Sequence, residues 1–350
     1  MLTRSEAGGL AMTLMLAGIG GSVAVALHLP LGFMLGSIVA VGLAAGFGLR
    51  VAGQGVFLPP KLRIGFVPVI GVAIGGAFTP EVAAQAAGWW GSMLALLIYV
   101  PLAHALGYAI YRAGGLDRVT AFFGAVPGGL IESIDLGEQA GANMPMLTSL
   151  HFLRLIGIIV SVPLMYWALT GHQVGSGAGA RIAGGGDLGL VDAGLLVATG
   201  VVGAGLGRVL HLPAWMLTGP LLCSGLLHGF GVVQGVPPVW LVSLTQVVMG
   251  GGLGARFAGV ETAMLRRAVG LAAAYGVAVL GLACVFAFAL QAMGLAPGAA
   301  AFLAMAPGGV AEMSLIALSL QFSVVFVTVH HVARILIAVV VAKVGYRWLR

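Results

Sequence analysis

The sequence predicts an all-α polytopic membrane protein made of two inverted repeats, each of about five transmembrane helices plus a re-entrant helical hairpin. Three observations lead there. The 350 residues are 60% hydrophobic and only 7% charged, whereas soluble domains carry charge on about a quarter of their residues. Apolar runs of the length needed to cross a hydrocarbon core about 30 Å thick fill nearly the whole chain. One stretch occurs twice: Pro127-Gly128-Gly129-Leu130-Ile131-Glu132 with His151 and Arg154, then Pro307-Gly308-Gly309-Val310-Ala311-Glu312 with His331 and Arg334, at a constant offset of 180. The chain holds six Glu and eight His, so their return at fixed spacing marks a duplication.

Hydropathy gives six apolar segments in the first half, roughly 8–27, 31–49, 65–87, 88–111, 117–141 and 145–168. Six more follow, roughly 188–207, 212–231, 238–257, 264–290, 296–320 and 323–346. The organisation is a first membrane repeat over 1–170, a Gly-rich linker over 171–187 and a second membrane repeat over 188–350. The repeat extends past the central motif: His28-Leu29-Pro30 with Gly36 and Gly46 matches His211-Leu212-Pro213 with Gly219 and Gly229 at an offset of 183. The first segment follows Arg4 but lacks a small-residue cleavage site, and reads as a span rather than a signal peptide.

Topology follows from the basic residues. If all twelve segments span, the loop Lys and Arg split ten to four across the membrane, a poor positive-inside pattern. If each Pro-Gly-Gly segment enters and turns back, Arg208, Arg256, Arg266 and Arg267 join the majority side, which leaves Arg181 alone opposite. Both termini then lie on the cytoplasmic side. The local sequence agrees, because Pro removes a backbone donor and Gly permits the turn that ends one helix and starts another. From Asp117, a candidate N-cap, to Ala125 is about 14 Å of helix, enough to reach mid-bilayer. Two opposed hairpins among ten spans is the plan of inverted-repeat secondary transporters.

Charges at that depth cost about 2.5–3.5 kcal/mol each on insertion scales, so Glu132, Arg154, Glu312 and Arg334 are expected to pair. His151 and Arg154 share a helix face at i, i+3, as do His331 and Arg334. Asp135, one turn beyond Glu132, has Leu315 as its counterpart; it leaves the centre one charge negative and makes Asp135 and His151 the expected coupling sites for a proton or monovalent cation. The tips, with free backbone N–H groups and a positive helix end, suit an anion. His28 and His211 read as caps, Trp89, Trp90, Trp167 and Trp348 as interfacial anchors, and Cys223 and Cys284 as packing residues with no metal-binding spacing.

The paired Pro-Gly-Gly-x-x-Glu motifs, the His-x-x-Arg of the following helix and the His-Leu-Pro openings resemble the AbrB family of duplicated bacterial inner-membrane proteins. The resemblance covers essentially the whole chain. Family members carry labels such as ammonia monooxygenase and regulator of gene expression. The resemblance implies a multi-pass inner-membrane protein with Pro127, Gly128, Gly129, Glu132, His151, Arg154, Pro307, Gly308, Gly309, Glu312, His331 and Arg334 at the motif positions.

The functional expectation is a secondary transporter of a small, anionic solute, coupled to protons or a monovalent cation, with substrate bound by those residues and Asp135. The alternative is a membrane-embedded regulator or ligand sensor without transport. Its partners are the bilayer, the solute and the coupling ion, with a homodimer compatible with the Gly-rich faces. No cofactor, metal or enzymatic activity is expected, since no dense His or Cys ligand set exists. With no DNA-binding module, direct nucleic-acid contact is not expected either.

Overall fold

The computed structural model describes residues 3–29, 31–51, 53–170, 189–259, 261–320 and 322–349. The expected linker over 171–187 lies outside the described residues. In chain order the elements are α1 (Arg4–Ala26), α2 (Gly32–Gly46), a short hairpin of β1 (Arg50–Val51) and β2 (Gln54–Gly55), α3 (Pro60–Gly75), α4 (Pro80–Ala86), α5 (Trp90–Ala113), α6 (Arg118–Gly124), α7 (Leu130–Gln139) and α8 (Met144–Thr170). The second half runs α9 (Leu190–Val209), α10 (Trp215–Gly229), α11 (Val239–Gly254), α12 (Thr262–Ala292), α13 (Gly298–Met305), α14 (Val310–Ser319) and α15 (Val324–Leu349). This is an all-α membrane protein. Among the described residues, six helices are long and apolar enough to span, in α1, α5, α8, α9, α12 and α15. Large apolar side chains stand outward on them, with Val277 and Phe288 each 75% exposed, a waste in water and natural against lipid chains.

The chain divides into two compact units, and each draws helices from both halves of the sequence. The first holds α1, α2, α3, α9, α10 and α11, with the last part of α8. Its packing rests on close backbone approach. A side chain on Gly20 would meet the Gly36 carbonyl at 2.5 Å, and one on Gly203 would meet the Gly219 carbonyl carbon at 2.9 Å, the same contact 183 residues on. Small residues are the usual currency of helix contacts in lipid, where apolar burial gives no driving force. α1 ends in a Schellman turn: Leu29 N donates to Ala24 O and His28 N to Val25 O, both at 2.9 Å, with His28 at φ 57°. His211 repeats it after α9, at φ 51°. These histidines cap helices, as their position beside Pro suggests. In the same unit Gln246 is fully buried with neither amide atom bonded, and Asp192 accepts from Gly235 N at 3.0 Å.

The second unit holds α5, α6, α7, α8 through Ser161, α12, α13, the start of α14 and nearly all of α15. The sequence motifs that recur at an offset of 180 all fall here.

Candidate functional site

Each Pro-Gly-Gly motif breaks a helix. α6 stops at Gly124 and α7 starts at Leu130; α13 stops at Met305 and α14 starts at Val310. Asp117 is the N-cap of α6, accepting from Thr120 N at 2.8 Å. Burial pushes its carboxyl up, but the backbone N–H and hydroxyl of Thr120 outweigh this and hold it below its ordinary value. At the far side of the break Gly129 is the N-cap of α7 with φ +61°, a backbone that costs other L-residues about 1–2 kcal/mol. A helix interrupted inside an apolar segment leaves up to four carbonyls on one side and four N–H groups on the other without partners. The site is built by how those groups are answered.

The carbonyls are answered by the His-x-x-Arg helix. His151 Nε2 donates to Phe123 O at 3.0 Å and Arg154 Nη1 to Val126 O at 2.6 Å. His331 Nε2 donates to Leu303 O at 2.9 Å, and Arg334 reaches Ala306 O, Gly308 O at 2.6 Å and Met305 O at 3.5 Å. The His–carbonyl bond and the first Arg–carbonyl bond each span 28 residues in both halves. Two cations at negative helix ends are favourable, and this corrects the expectation that Arg154 and Arg334 are held chiefly by Glu132 and Glu312. Each arginine uses Nη groups on backbone carbonyls and keeps its Nε for another partner.

On the N–H side a carboxylate stands near each helix start. Glu132 and Glu312 stand in the first turns of α7 and α14. Glu132 Oε2 lies 3.3 Å from the place a Cβ would take on Gly129, and a Cβ on Gly309 would collide with Glu312 Oε2. The carboxylates therefore curl over their own helix starts, so the positive ends expected to attract an anion already have counter-charges.

The two breaks lie against the opposite halves. Gly129 would meet Ile335 Cγ2 at 3.6 Å, and Gly309 would meet Leu155 Cδ1 at 3.3 Å; each pair is the other shifted by 180. Gly128 faces Arg334 Nε at 3.6 Å. Pro127, Gly128, Pro307 and Gly308 are all buried. Between the breaks stand three tyrosines that sequence reasoning passed over. Tyr275 donates to Ala125 O at 3.0 Å, with Arg154 Cζ 5.8 Å from its ring centroid; Tyr99 donates to Val279 O at 3.4 Å; Tyr111 packs edge-on against Tyr275 at 5.5 Å. Arg154 and Arg334 are both within electrostatic reach of Tyr99 and Tyr275. For Tyr99 and Tyr275 the signal was present, because interfacial tyrosines belong at span ends and these two sit mid-helix. His104, which bonds Phe122 O at 2.9 Å, and His330, which bonds Ser92 Oγ at 2.8 Å, were likewise missed as parts of the core.

Four buried polar atoms here have no partner: Tyr111 Oη, His151 Nδ1, Arg154 Nε and Arg334 Nε. His331 differs from His151, because its Nδ1 accepts from Arg334 Nη2 at 3.0 Å. Asp135 does not join the buried cluster; it is exposed on α7 beside Glu138 and Gln139, with Glu132 half-buried on the same stripe. Among the described residues, no group of His, Cys, Asp and Glu could hold a metal ion.

The recurrence of these motifs in one chain has a match among known sequences. A profile of the family described as AbrB, transition state regulatory protein AbrB, aligns with residues 33–350. The chain belongs to the AbrB family. A member from Bacillus subtilis (strain 168), "Uncharacterized protein YhjN", is 26% identical over 300 residues, covering 80% of this chain and 77% of that protein. "Putative regulator AbrB" from Escherichia coli (strain K12) is 22% identical over 233 residues, covering 66% of this chain and 65% of its own. Both alignments are long enough to include helices of each unit.

Proposed function

We propose that this AbrB-family protein is a secondary transporter of a small anionic solute, bound at the two helix breaks of the second unit. The observation that carries the reading is the pair of buried guanidinium Nε–H donors without partners, on Arg154 and Arg334, with the unpartnered hydroxyl of Tyr111 as a further donor. An unmet charged donor in a low-dielectric site costs on the order of 1–3 kcal/mol or more, and a carboxylate or similar oxyanion meets such donors best. The paired contacts Gly129–Ile335 and Gly309–Leu155, with Tyr99 touching Val279, its own counterpart, are what a two-fold relation between the halves generates. They support reading the halves as inverted repeats whose Pro-Gly-Gly segments are re-entrant hairpins, with both termini on the cytoplasmic side of the inner membrane.

The carboxylate stripe of α7, Glu132 and Asp135 followed by Glu138, gives a proton or monovalent cation a path toward the break.

The test is proton movement in proteoliposomes on addition of a panel of small organic anions, with wild type beside Arg154→Gln, Glu132→Gln and Asp135→Asn. A solute-dependent flux in wild type, lost in Arg154→Gln while the variant still elutes as a folded species, is the expected result. Ligand-induced thermal stabilisation without flux would instead assign the same pocket to a membrane sensor, the role suggested by the printed name of the Escherichia coli relative.

A further inference from the structure

We propose that the cleft where α7 and α15 end binds the phosphate headgroup of an anionic phospholipid. The cleft holds about 300 Å³, with Phe123 and Ala342 buried at its base and Gln139, Lys343, Tyr346 and Arg347 around it. Lys343 and Arg347 are four residues apart on one helix face, an arrangement that repels when both are cationic. Among the described residues no carboxylate lines the cleft to offset them. A ligand with negative charge does.

Two further features select a lipid over a soluble anion. Leu336, Val340 and Val344 form an exposed apolar stripe on α15, at 53%, 60% and 49% exposure, that leads up to the two cations. An acyl chain lying on that stripe delivers its phosphate to Lys343 and Arg347. Trp348, 86% exposed one residue beyond Arg347, and Tyr346 mark the depth at which headgroups lie. Guanidinium takes a phosphate through two parallel hydrogen bonds, and the ammonium of Lys343 adds a point charge. The Tyr346 ring stands 5.0 Å from that of Phe123, whose carbonyl holds His151, so an occupied cleft braces the end of α6. The inference is independent of transport.

Purified protein in neutral detergent is titrated with phosphatidylglycerol, phosphatidylcholine or inorganic phosphate, and the thermal midpoint and the lipid affinity are measured. Phosphatidylglycerol is expected to raise the midpoint where the other two do not. At about fivefold per basic residue, Lys343→Gln with Arg347→Gln weakens phosphatidylglycerol binding on the order of 25-fold. Gln139→Glu, which leaves α15 untouched and adds a competing carboxylate, weakens it as well, and covers the case in which the double variant does not fold. Equal response to phosphatidylcholine, an equal response to inorganic phosphate, or undiminished phosphatidylglycerol binding in Gln139→Glu each overturns the proposal.

Discussion

The break between α6 and α7 and the break between α13 and α14 share a sequence motif and a set of hydrogen bonds, yet they are finished differently. In the second, Arg334 bonds carbonyls on both sides of Pro307 and also His331 Nδ1. The first turn after it, from Val310 to Met313, is buried. In the first, Arg154 bonds Val126 O, leaves His151 Nδ1 unmet, and is followed by a helix whose Ile131 is 67% exposed and whose carboxylate stripe is open. Both breaks keep an unpartnered arginine Nε, but the first also leaves its histidine Nδ1 unmet where the second ties it to Arg334. The difference teaches that motif identity fixes the cap and leaves the remaining valences free to diverge.

The sharpest way to break this comparison is to remove the arginines one at a time. Arg334→Leu strips the caps from α13 and from Gly308, and is expected to cost about 3–5 kcal/mol, as loss of a buried charged network does. Arg154→Leu, with one carbonyl bond to lose, is expected to cost about 1.5–3 kcal/mol. Denaturation midpoints of the two variants in the same detergent check the order; equal losses would mean the breaks are equivalent. For solute binding the order reverses, with Arg154→Leu the more damaging per unit of stability.

The second glycine of each Pro-Gly-Gly motif sharpens it further. Gly129→Ala must hold φ +61° and is expected to cost about 1–2 kcal/mol. Gly309→Ala instead drives a methyl group into the Glu312 carboxylate, so a proteolysis or exchange probe should loosen the start of α14 in that variant and leave α7 unchanged.

The smallest effect lies at the entry to each break. α6 begins with the Asp117 cap, whereas α13 begins at Pro297 with no side-chain cap. Asp117→Ala should cost about 1 kcal/mol. Because the folded protein holds the Asp117 carboxyl below its ordinary value, its contribution is present above that value and is lost as pH falls through the lowered one. Acid melting of wild type and Asp117→Asn should therefore converge at low pH; a constant gap would rule out ionisation of the cap as the source.

Much of this was legible in the sequence. Apolar run lengths gave most helices to within a few residues, though the expected segment 65–87 falls on two helices, α3 ending at Gly75 and α4 over Pro80–Ala86; Pro-Gly-Gly marked both breaks, because loss of a donor and freedom at φ act locally. The 180-residue spacing brought His151, Arg154, His331 and Arg334 to the breaks. What was not legible was who pairs with whom. A count of charges suggested Glu with Arg, but it ignores the carbonyls and N–H groups that a broken helix exposes, and those outbid the opposite charge. The short β1–β2 hairpin lacks the alternation that reveals a strand. Tyr99 and Tyr275 escaped because neither belongs to a repeated motif. Asp135 was expected to share the buried centre with Glu132, and a turn of about 5.4 Å further along α7 suffices to bring it out.

The spacing of the capping bonds also sets an order of assembly during synthesis. His151 and Arg154 reach back only 28 residues to their carbonyls, so the first break can be capped while the ribosome is still making the second half. The contact that packs Gly129 against Ile335 must wait for α15. The nascent protein therefore passes through a stage in which its first tip is capped but uncovered, and a chaperone or insertase that shields an apolar, glycine-rich surface would act at that interval.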